Sequence, residues 1–495
     1  MITTNPFETH GDGGNAGADD DKLHEECGVF GIYANSDAAK HTALGLHALQ
    51  HRGQEAAGIV SYDDVRFNAY RDSGHVGDIF AKPAIMDRLA GHSAIGHNRY
   101  STSGDTVMRN VQPLFADLEF GGFAIAHNGN LTNARRLRRE LVRRGSLFQS
   151  TTDTEVVIHL MATAPAHTVI ERMIHALKQI EGAYSFVALT DSELIGVRDP
   201  LGVRPLVLGQ LGETYILASE TCALDIIGAD MVRDIKPGEM VVIDGNGLRS
   251  LQPFPTQRQR FCVFEYIYFS RPDSMVEGSS VYEARKRIGA ELARESHTDA
   301  DLVIPVPDSG TPAAIGYANQ ANIPFELGII RNHYVGRTFI EPTDSIRHLG
   351  VKLKHNANRA LIEGKRVVLV DDSIVRGTTS AKIVNMVRQA GAAEVHMRIA
   401  APPTRHPCFY GIDTPDEHEL LASRFDIDGM AEVIGCDSLA FISNDGLYRA
   451  MGFPQRNSLQ PQFCDACFTG EYPIRLTDHD DGESNQQQLS LLAEG

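Results

Sequence analysis

A chain of 495 residues exceeds one ordinary hydrophobic core, so two or more domains are expected. Its 46 basic and 64 acidic side chains leave a formal charge of −18, which argues against general nucleic-acid binding but leaves room for local phosphate sites. No run of eighteen apolar residues is present to span a membrane, and the first residues lack the basic and apolar stretches of a secretory signal. Seven cysteines with no export signal point to a reducing cytoplasm rather than a disulfide framework.

Residues 1–26 are polar, glycine-rich and acidic, with Asp19-Asp20-Asp21, and read as a disordered leader. Short apolar runs separated by turns then follow at 28–33, 94–102, 123–127, 184–190, 194–198, 215–219 and 240–244. Several are rich in β-branched and aromatic residues, which predicts strands of a mostly antiparallel sheet. Helical patterns near 41–51, 132–144, 153–163 and 168–180 interrupt them, so the first domain, 27–256, is expected to be a layered α+β sandwich. The arginine-rich stretch 135–144 has Leu137 and Leu141 one turn apart and reads as an amphipathic helix with a solvated basic face.

A proline-rich linker at 253–257 closes this domain. Beyond it, β-branched runs at 302–305, 325–330, 367–370 and 394–400 alternate with helical stretches at 312–321 and 378–390. This is the grammar of a parallel, doubly wound α/β sheet over 257–476. Residues 477–495 are acidic and glutamine-rich and read as a loose tail.

Three polar clusters and one cysteine suggest chemistry in the first domain. Cys27 heads the run Cys27-Gly28-Val29-Phe30-Gly31. Alone, such a cysteine is best read as a small buried hydrophobe. If the leader is cut before it, the same residue carries a thiol nucleophile and an α-amine base. The turn Asn128-Gly129 can aim an amide side chain and a backbone N–H at one oxyanion. Arg99 can clamp a carboxylate in bidentate fashion, and Asp153 can hold an ammonium, which together suit an α-amino acid. A hairpin turn, a surface arginine and a helix cap explain the same spacing equally well.

The most specific string is Val367-Val368-Leu369-Val370-Asp371-Asp372-Ser373-Ile374-Val375-Arg376-Gly377-Thr378-Thr379. An apolar strand delivers two carboxylates, then a glycine-containing turn, then a helix. Backbone N–H groups at such a helix start cradle a monophosphate, the Thr378 and Thr379 hydroxyls add donors, and the carboxylates suit a ribose diol and Mg²⁺. Cys464-Asp465-Ala466-Cys467 is a lone CxxC, compatible with a zinc half-site, a redox pair or neither. With Cys262 and Cys408 it would offer four thiolates for Zn or [4Fe–4S], which spacing does not separate. Cys222 and Cys436 read as ordinary buried thiols.

These motifs carry two family resemblances. Cys27 to Gly31, Leu49-Gln50-His51-Arg52-Gly53-Gln54-Glu55, the 96–102 segment and His127-Asn128-Gly129-Asn130 resemble, in order, the class II (N-terminal nucleophile) glutamine amidotransferases. The resemblance implies a four-layer αββα glutaminase sandwich, Cys27 as nucleophile with its α-amine as base, and Asn128 with Gly129 as the oxyanion hole. It also implies glutamine binding by Arg99 and Asp153, with Arg52 in the glutamine site supporting the region of the cysteine.

The Asp371-Asp372 string resembles the phosphoribosyl pyrophosphate (PRPP) motif of type I phosphoribosyltransferases. Val306-Pro307-Asp308-Ser309-Gly310-Thr311 resembles their pyrophosphate loop, and 331–339 their mobile catalytic loop. This implies PRPP binding by Asp371, Asp372, Ser373, Arg376, Gly377, Thr378, Thr379, Ser309, Arg337 and Lys352, with one Mg²⁺ on Ser309, Asp371 and Asp372.

The two halves together, over roughly 27–475, resemble the amidophosphoribosyltransferase family of purine synthesis, in its iron–sulfur form. That implies one [4Fe–4S] cluster per subunit on Cys262, Cys408, Cys464 and Cys467, feedback inhibition by purine nucleotides, and a cytoplasmic homotetramer with no nucleic-acid or membrane partner. A hexosamine-phosphate synthase shares the first domain but lacks the Asp371-Asp372 string. A PRPP-binding regulator would not need Cys27, Arg99, Asn128 and Asp153.

Overall fold

A computed structural model describes residues 24–25, 27–99, 108–332 and 355–480. In the first domain two antiparallel sheets pack face to face. One has the order Asp230–Asp234, Val207–Leu211, Thr214–Ala218, Cys27–Ile32, Ser93–Arg99, Ala56–Tyr62, Phe67–Ser73. The other runs Gly247–Leu251, Met240–Asp244, Leu194–Arg198, Gly182–Leu189, Gly121–Leu131, Leu114–Leu118.

Side chains alternate between faces along each strand. Val29, Ile95 and Leu217 point inward from the first sheet to meet Ala126, Val187 and Val241 from the second. Phe30 and Ile59 point outward against Leu46 of the Ala38–Ala48 helix. Ile125, Phe186 and Val197 point outward against Leu137, Val156 and Met173, which lie on the helices Ala134–Arg143, Glu155–Ala162 and Val169–Leu177. Both faces of both sheets are therefore buried, and the expected αββα sandwich is present.

The second domain holds a four-stranded parallel sheet in the order Leu302–Pro305, Arg366–Asp371, Glu394–Ile399, Ser438–Phe441. Helices Thr311–Ala321 and Thr378–Gln389 fall where the sequence pattern puts them. The expected strand at 325–330 is corrected. Phe325 makes only a single bridge to Val303, and Ile329–Arg331 instead pairs antiparallel with His355–Ala357. Ser438–Phe441 was not foreseen, because four residues without a β-branched side chain carry little strand signal.

Described residues at the edge of each terminal segment form regular structure. His24–Glu25, the end of the leader, pairs antiparallel with Ile412–Asp413 of the second domain. Residues Thr477–Asp480, the start of the tail, form a short helix. The Asp478 carboxylate accepts from the backbone N–H groups of Arg135 (2.7 Å) and Arg136 (3.0 Å), and so caps the arginine-rich helix. Such a cap satisfies otherwise orphaned donors and places negative charge at the positive end of the helix dipole. Replacing Asp478 with Ala is expected to destabilise the chain by about 1 kcal/mol, read as a lowered denaturant midpoint with unchanged slope.

Candidate active sites

Strand register builds the first site. Cys27 lies directly opposite Arg99, and Gly28 opposite Asn98, so the cysteine and the arginine leave the same end of the sheet. Asn128 and Gly129 come from the facing sheet, opposite Ser185 and Tyr184. Ser219 ties the sheets together: its hydroxyl accepts from the Val29 N–H at 3.0 Å and from Asn128 Nδ2 at 3.5 Å. Gly129 has φ +136°, and a Cβ there would stand 2.1 Å from the Ala183 carbonyl oxygen, so only glycine fits.

Asp153 is fixed by the Leu131 N–H at 2.9 Å and lies 3.6 Å from His127 Nδ1. Burial works against its charge, yet His127 and the Leu131 and Thr154 N–H groups hold its carboxyl below the usual range. Burial, with Arg99 adding, pushes the His97 imidazole down to about 3, so the ring is neutral and donates from Nε2 to the His127 carbonyl at 3.1 Å. Arg99 Nη1 donates to the Asn110 carbonyl at 2.9 Å. Arg99 Nε, Asn128 Oδ1 and His127 Nε2 are buried with no hydrogen-bond partner among the described residues. Buried polar atoms are almost always paired, so Arg99 and Asn128, which share the inner faces of the two sheets with Ile95 and Ala126, mark a place for a polar ligand, whereas His127 lies on the other face of its strand beside Phe186.

Arg52, expected in the glutamine site as a support for the region of the cysteine, lies under Gly28, where an added Cβ would stand 3.5 Å from the Arg52 Cβ. Its side chain is wholly buried and bound to Glu220 and, at 2.6 Å, to Glu265. Arg204 Nη2 reaches the other Glu265 oxygen at 2.9 Å, and Ser270 adds a hydroxyl at 2.6 Å. Glu220 also takes His51, Ser274 and the Arg271 N–H. Burial alone would raise both carboxyls, but Arg52 and its neighbours hold Glu220 and Glu265 below the ordinary value. Arg52 thus joins the turn beneath Cys27 to the domain junction. Ser219, Glu220 and Glu265 were missed by sequence reasoning. The signal for Glu265 was a lone carboxylate inside the apolar run 261–269.

In the second domain, the strand Arg366–Asp371 delivers Asp371 and Asp372, both buried. Asp371 accepts from the Asp372 N–H at 2.9 Å, and Asp372 accepts from the Ser373 hydroxyl at 2.6 Å. Gly377, at φ +82°, turns the chain into the helix that begins at Thr378. A Cβ on Gly310 would stand 2.5 Å from the Val370 carbonyl oxygen and 3.3 Å from the Asp371 Cα, so the loop carrying Ser309 packs against the carboxylate turn. Arg376 forms an ion pair with Glu419 at 2.7 Å. Buried Arg285 donates to the carbonyls of Tyr266, Tyr268 and Ser270. Burial pushes its guanidinium down to about 10, opposed by Asp372 and Glu220. Arg337, Lys352 and the closing loop at 334–340 lie outside the described residues.

The four cysteines converge. Phe261–Cys262 and Phe463–Cys464 form a parallel pair with Cys262 opposite Cys464. Burial pushes the Cys262 thiol up to about 12, and burial together with the neighbouring cysteines raises Cys464 and Cys467 further. None of the seven cysteines is in a disulfide. Four sulfurs around one zinc stand about 3.8 Å apart. Among the described residues, the one trio of candidate ligand atoms mutually within 4.8 Å is Asp416, His418 and Glu419, so these sulfurs are spread more widely than a single ion requires.

Comparison with known proteins matches both halves. A glutamine amidotransferase domain family matches residues 97–225, and a phosphoribosyl transferase domain family matches 278–406. The protein is therefore a glutamine amidotransferase joined to a phosphoribosyltransferase. An amidophosphoribosyltransferase from Rhizobium etli is 60% identical over 96% of this chain and 97% of its own length, and one from Bacillus subtilis is 48% identical over 92% and 95%. The solved glutamine PRPP amidotransferase of B. subtilis, complexed with ADP and GMP, superimposes with a TM-score of 0.86 at 47% identity, covering 91% of this chain and 98% of that one. The chain belongs to the amidophosphoribosyltransferase family, enzymes of purine biosynthesis that aminate PRPP with nitrogen from glutamine.

The buried ion cluster has a direct consequence for stability. Replacing Glu265 with Ala removes the buried carboxylate that Arg52 and Arg204 share, leaving Glu220 to pair Arg52, and is expected to cost about 3–5 kcal/mol in chemical denaturation. Because Glu220 and Glu265 have depressed folded-state values, their contribution is complete above the unfolded glutamate value of ~4.3 and is lost as pH falls through the folded value. The melting temperature should therefore fall steeply below about pH 4.5 in the parent, and less steeply in a Glu265→Gln variant.

Proposed function

We propose that Cys27 is the glutaminase nucleophile, that its α-amine becomes the base once the bond after Glu26 is cut, and that Asn128 and Gly129 stabilise the oxyanion. The observation that carries this reading is the register setting Cys27 opposite Arg99, with buried, unpartnered atoms on Arg99 and on Asn128 of the facing sheet. An α-amine titrates near ~8 and a thiol near ~8.5, so a proton passes between them at little cost. The thiolate adds to the glutamine side-chain carbonyl, and the C–N bond breaks. The protonated amine gives its proton to departing ammonia, and water then releases glutamate from the thioester. Arg99 takes the substrate carboxylate, and Asp153, held ionised, takes its ammonium.

In the second site, ammonia forms a bond to the anomeric carbon of PRPP as the C–O bond to pyrophosphate breaks, giving 5-phosphoribosylamine. The backbone from Arg376 to Thr379 cradles the 5-phosphate, with Ser373 and the Thr378 and Thr379 hydroxyls as further donors. Asp371 and Asp372 hold the ribose hydroxyls, and Arg337 and Lys352 cover the diphosphate. The oxygen donors of Ser309, Asp371 and Asp372 fit one Mg²⁺, which would neutralise the departing pyrophosphate. Cys262, Cys408, Cys464 and Cys467 fit one [4Fe–4S] cluster, which would pin the C-terminal segment to the domain junction. Purine nucleotides as inhibitors are supported by the ADP and GMP in the B. subtilis complex. A cytoplasmic homotetramer completes the reading.

Four measurements check it. Cys27→Ala should lose glutamine-dependent synthesis by at least about 10³-fold while keeping the ammonia-dependent rate. Asp371→Asn combined with Asp372→Asn should impair both, and a double variant with normal rates would remove the PRPP site from this turn. Intact mass of active enzyme should begin at Cys27. An active species retaining the leader would overturn the α-amine as base. Anaerobically purified protein should carry iron that Cys464→Ser loses.

A further inference from the structure

Residues 408–413 belong to the second domain, yet they lie against the glutaminase strand that carries Asn128 and Gly129. A Cβ built on Gly411 would stand 2.7 Å from the Gly129 Cα and 2.9 Å from its carbonyl carbon. Gly411 has φ +100°, so the backbone at this contact suits glycine twice over. One residue further along, Asn130 Nδ2 donates to the Phe409 carbonyl at 2.9 Å. Gly129 also pairs with Tyr184 of the strand Gly182–Leu189, where a Cβ on it would stand 2.1 Å from the Ala183 carbonyl oxygen. The 129–130 backbone is therefore held between a strand of its own domain and a segment of the other.

That segment is itself anchored. The Cys408 N–H donates to the Thr414 hydroxyl at 2.8 Å, and the Tyr410 hydroxyl donates to the Ile474 carbonyl at 2.7 Å. Asp413, pushed up to about 6 by burial with Arg376 opposing and Glu55 adding, lies in the field of the PRPP turn. The segment therefore reaches from the phosphate turn to the oxyanion strand.

We infer that the second domain sets the position of the Gly129 peptide through Gly411 and the Asn130–Phe409 hydrogen bond, making both positioning residues for glutamine hydrolysis. The inference rests on the reading that Asn128 and Gly129 form the oxyanion hole. Its physical basis is the narrow tolerance of such a site, whose donors must meet the developing oxyanion at about 2.7–3.1 Å. A methyl group on Gly411 cannot be absorbed without moving backbone, because backbone is what it meets.

Gly411→Ala should lower kcat for glutamine-dependent synthesis about 10- to 100-fold while leaving the glutamine KM within about threefold. Ammonia-dependent synthesis should be unchanged, which also certifies the fold. Asn130→Ala, which strains no backbone, should show the same pattern at about three- to tenfold. Asn128→Ala serves as the reference, with a loss of about 10²–10³. Parallel loss of the ammonia-dependent rate in the Asn130 variant, or a raised KM in place of a lowered kcat, overturns the inference. If Gly411→Ala does not fold, Asn130→Ala decides alone. If Asn128→Ala acts and the Gly411 and Asn130 variants do not, only this inference fails. If Asn128→Ala has no effect, the oxyanion reading itself fails.

Discussion

Arg52 and the two carboxylates that receive it, Glu220 and Glu265, form the constraint on which the two halves of this enzyme depend. All three side chains are withdrawn from water, and each charge is matched within the cluster. Burying a charge is costly unless it is paired and hydrogen-bonded, so the cluster exists only while both domains contribute. Arg52 sits in the turn under Gly28, Glu220 stands two residues beyond the strand Thr214–Ala218, and Glu265 opens the turn Glu265–Phe269 at the start of the second domain. Breaking the junction would strand charge in an apolar interior, and this fixes the neighbourhood of Cys27 relative to the phosphoribosyltransferase domain.

The same junction brings the chemistry of one domain within electrical reach of the other. Arg285 holds three carbonyls of the 266–270 turn and lies in the field of both Asp372 and Glu220. The cysteine quartet closes the junction from another side, with Cys262 leaving the glutaminase linker and Cys464 returning from the C-terminal segment. Ammonia made at one site and consumed at the other is useful only if water does not intervene, and a close-packed junction serves that end. The contact between Gly411 and Gly129 adds a mechanical link to the electrostatic one.

Much of this was legible in the chain because local patterns carry it. The alternation of Val29 and Phe30 names the two faces of a strand buried on both sides, and the strand–turn–helix around Asp371 to Thr378 is a contiguous string. Other features were not legible, for reasons of distance. Glu265 pairs with a residue 213 positions away, and Phe409 bonds one 279 positions away. The ion pair of Arg52 with Glu220 likewise joins residues 168 positions apart. The tail was read as loose from its composition, yet Asp478 finds the start of a helix 342 residues earlier.

The sequence by itself determined which residue types stand together: a cysteine after a polar, acidic leader, an Asn-Gly turn, two carboxylates before a glycine-containing turn and a helix start, and Cys262, Cys408, Cys464 and Cys467 in the second half. These are properties of residue type and short spacing. Only the tertiary structure decided what faces what. Register set Cys27 against Arg99, sheet packing brought Asn128 to Ser219, and burial chose which charges pair. Those outcomes depend on contacts between segments hundreds of residues apart, whose free energies are set by the whole packed core and are written in no single stretch of chain.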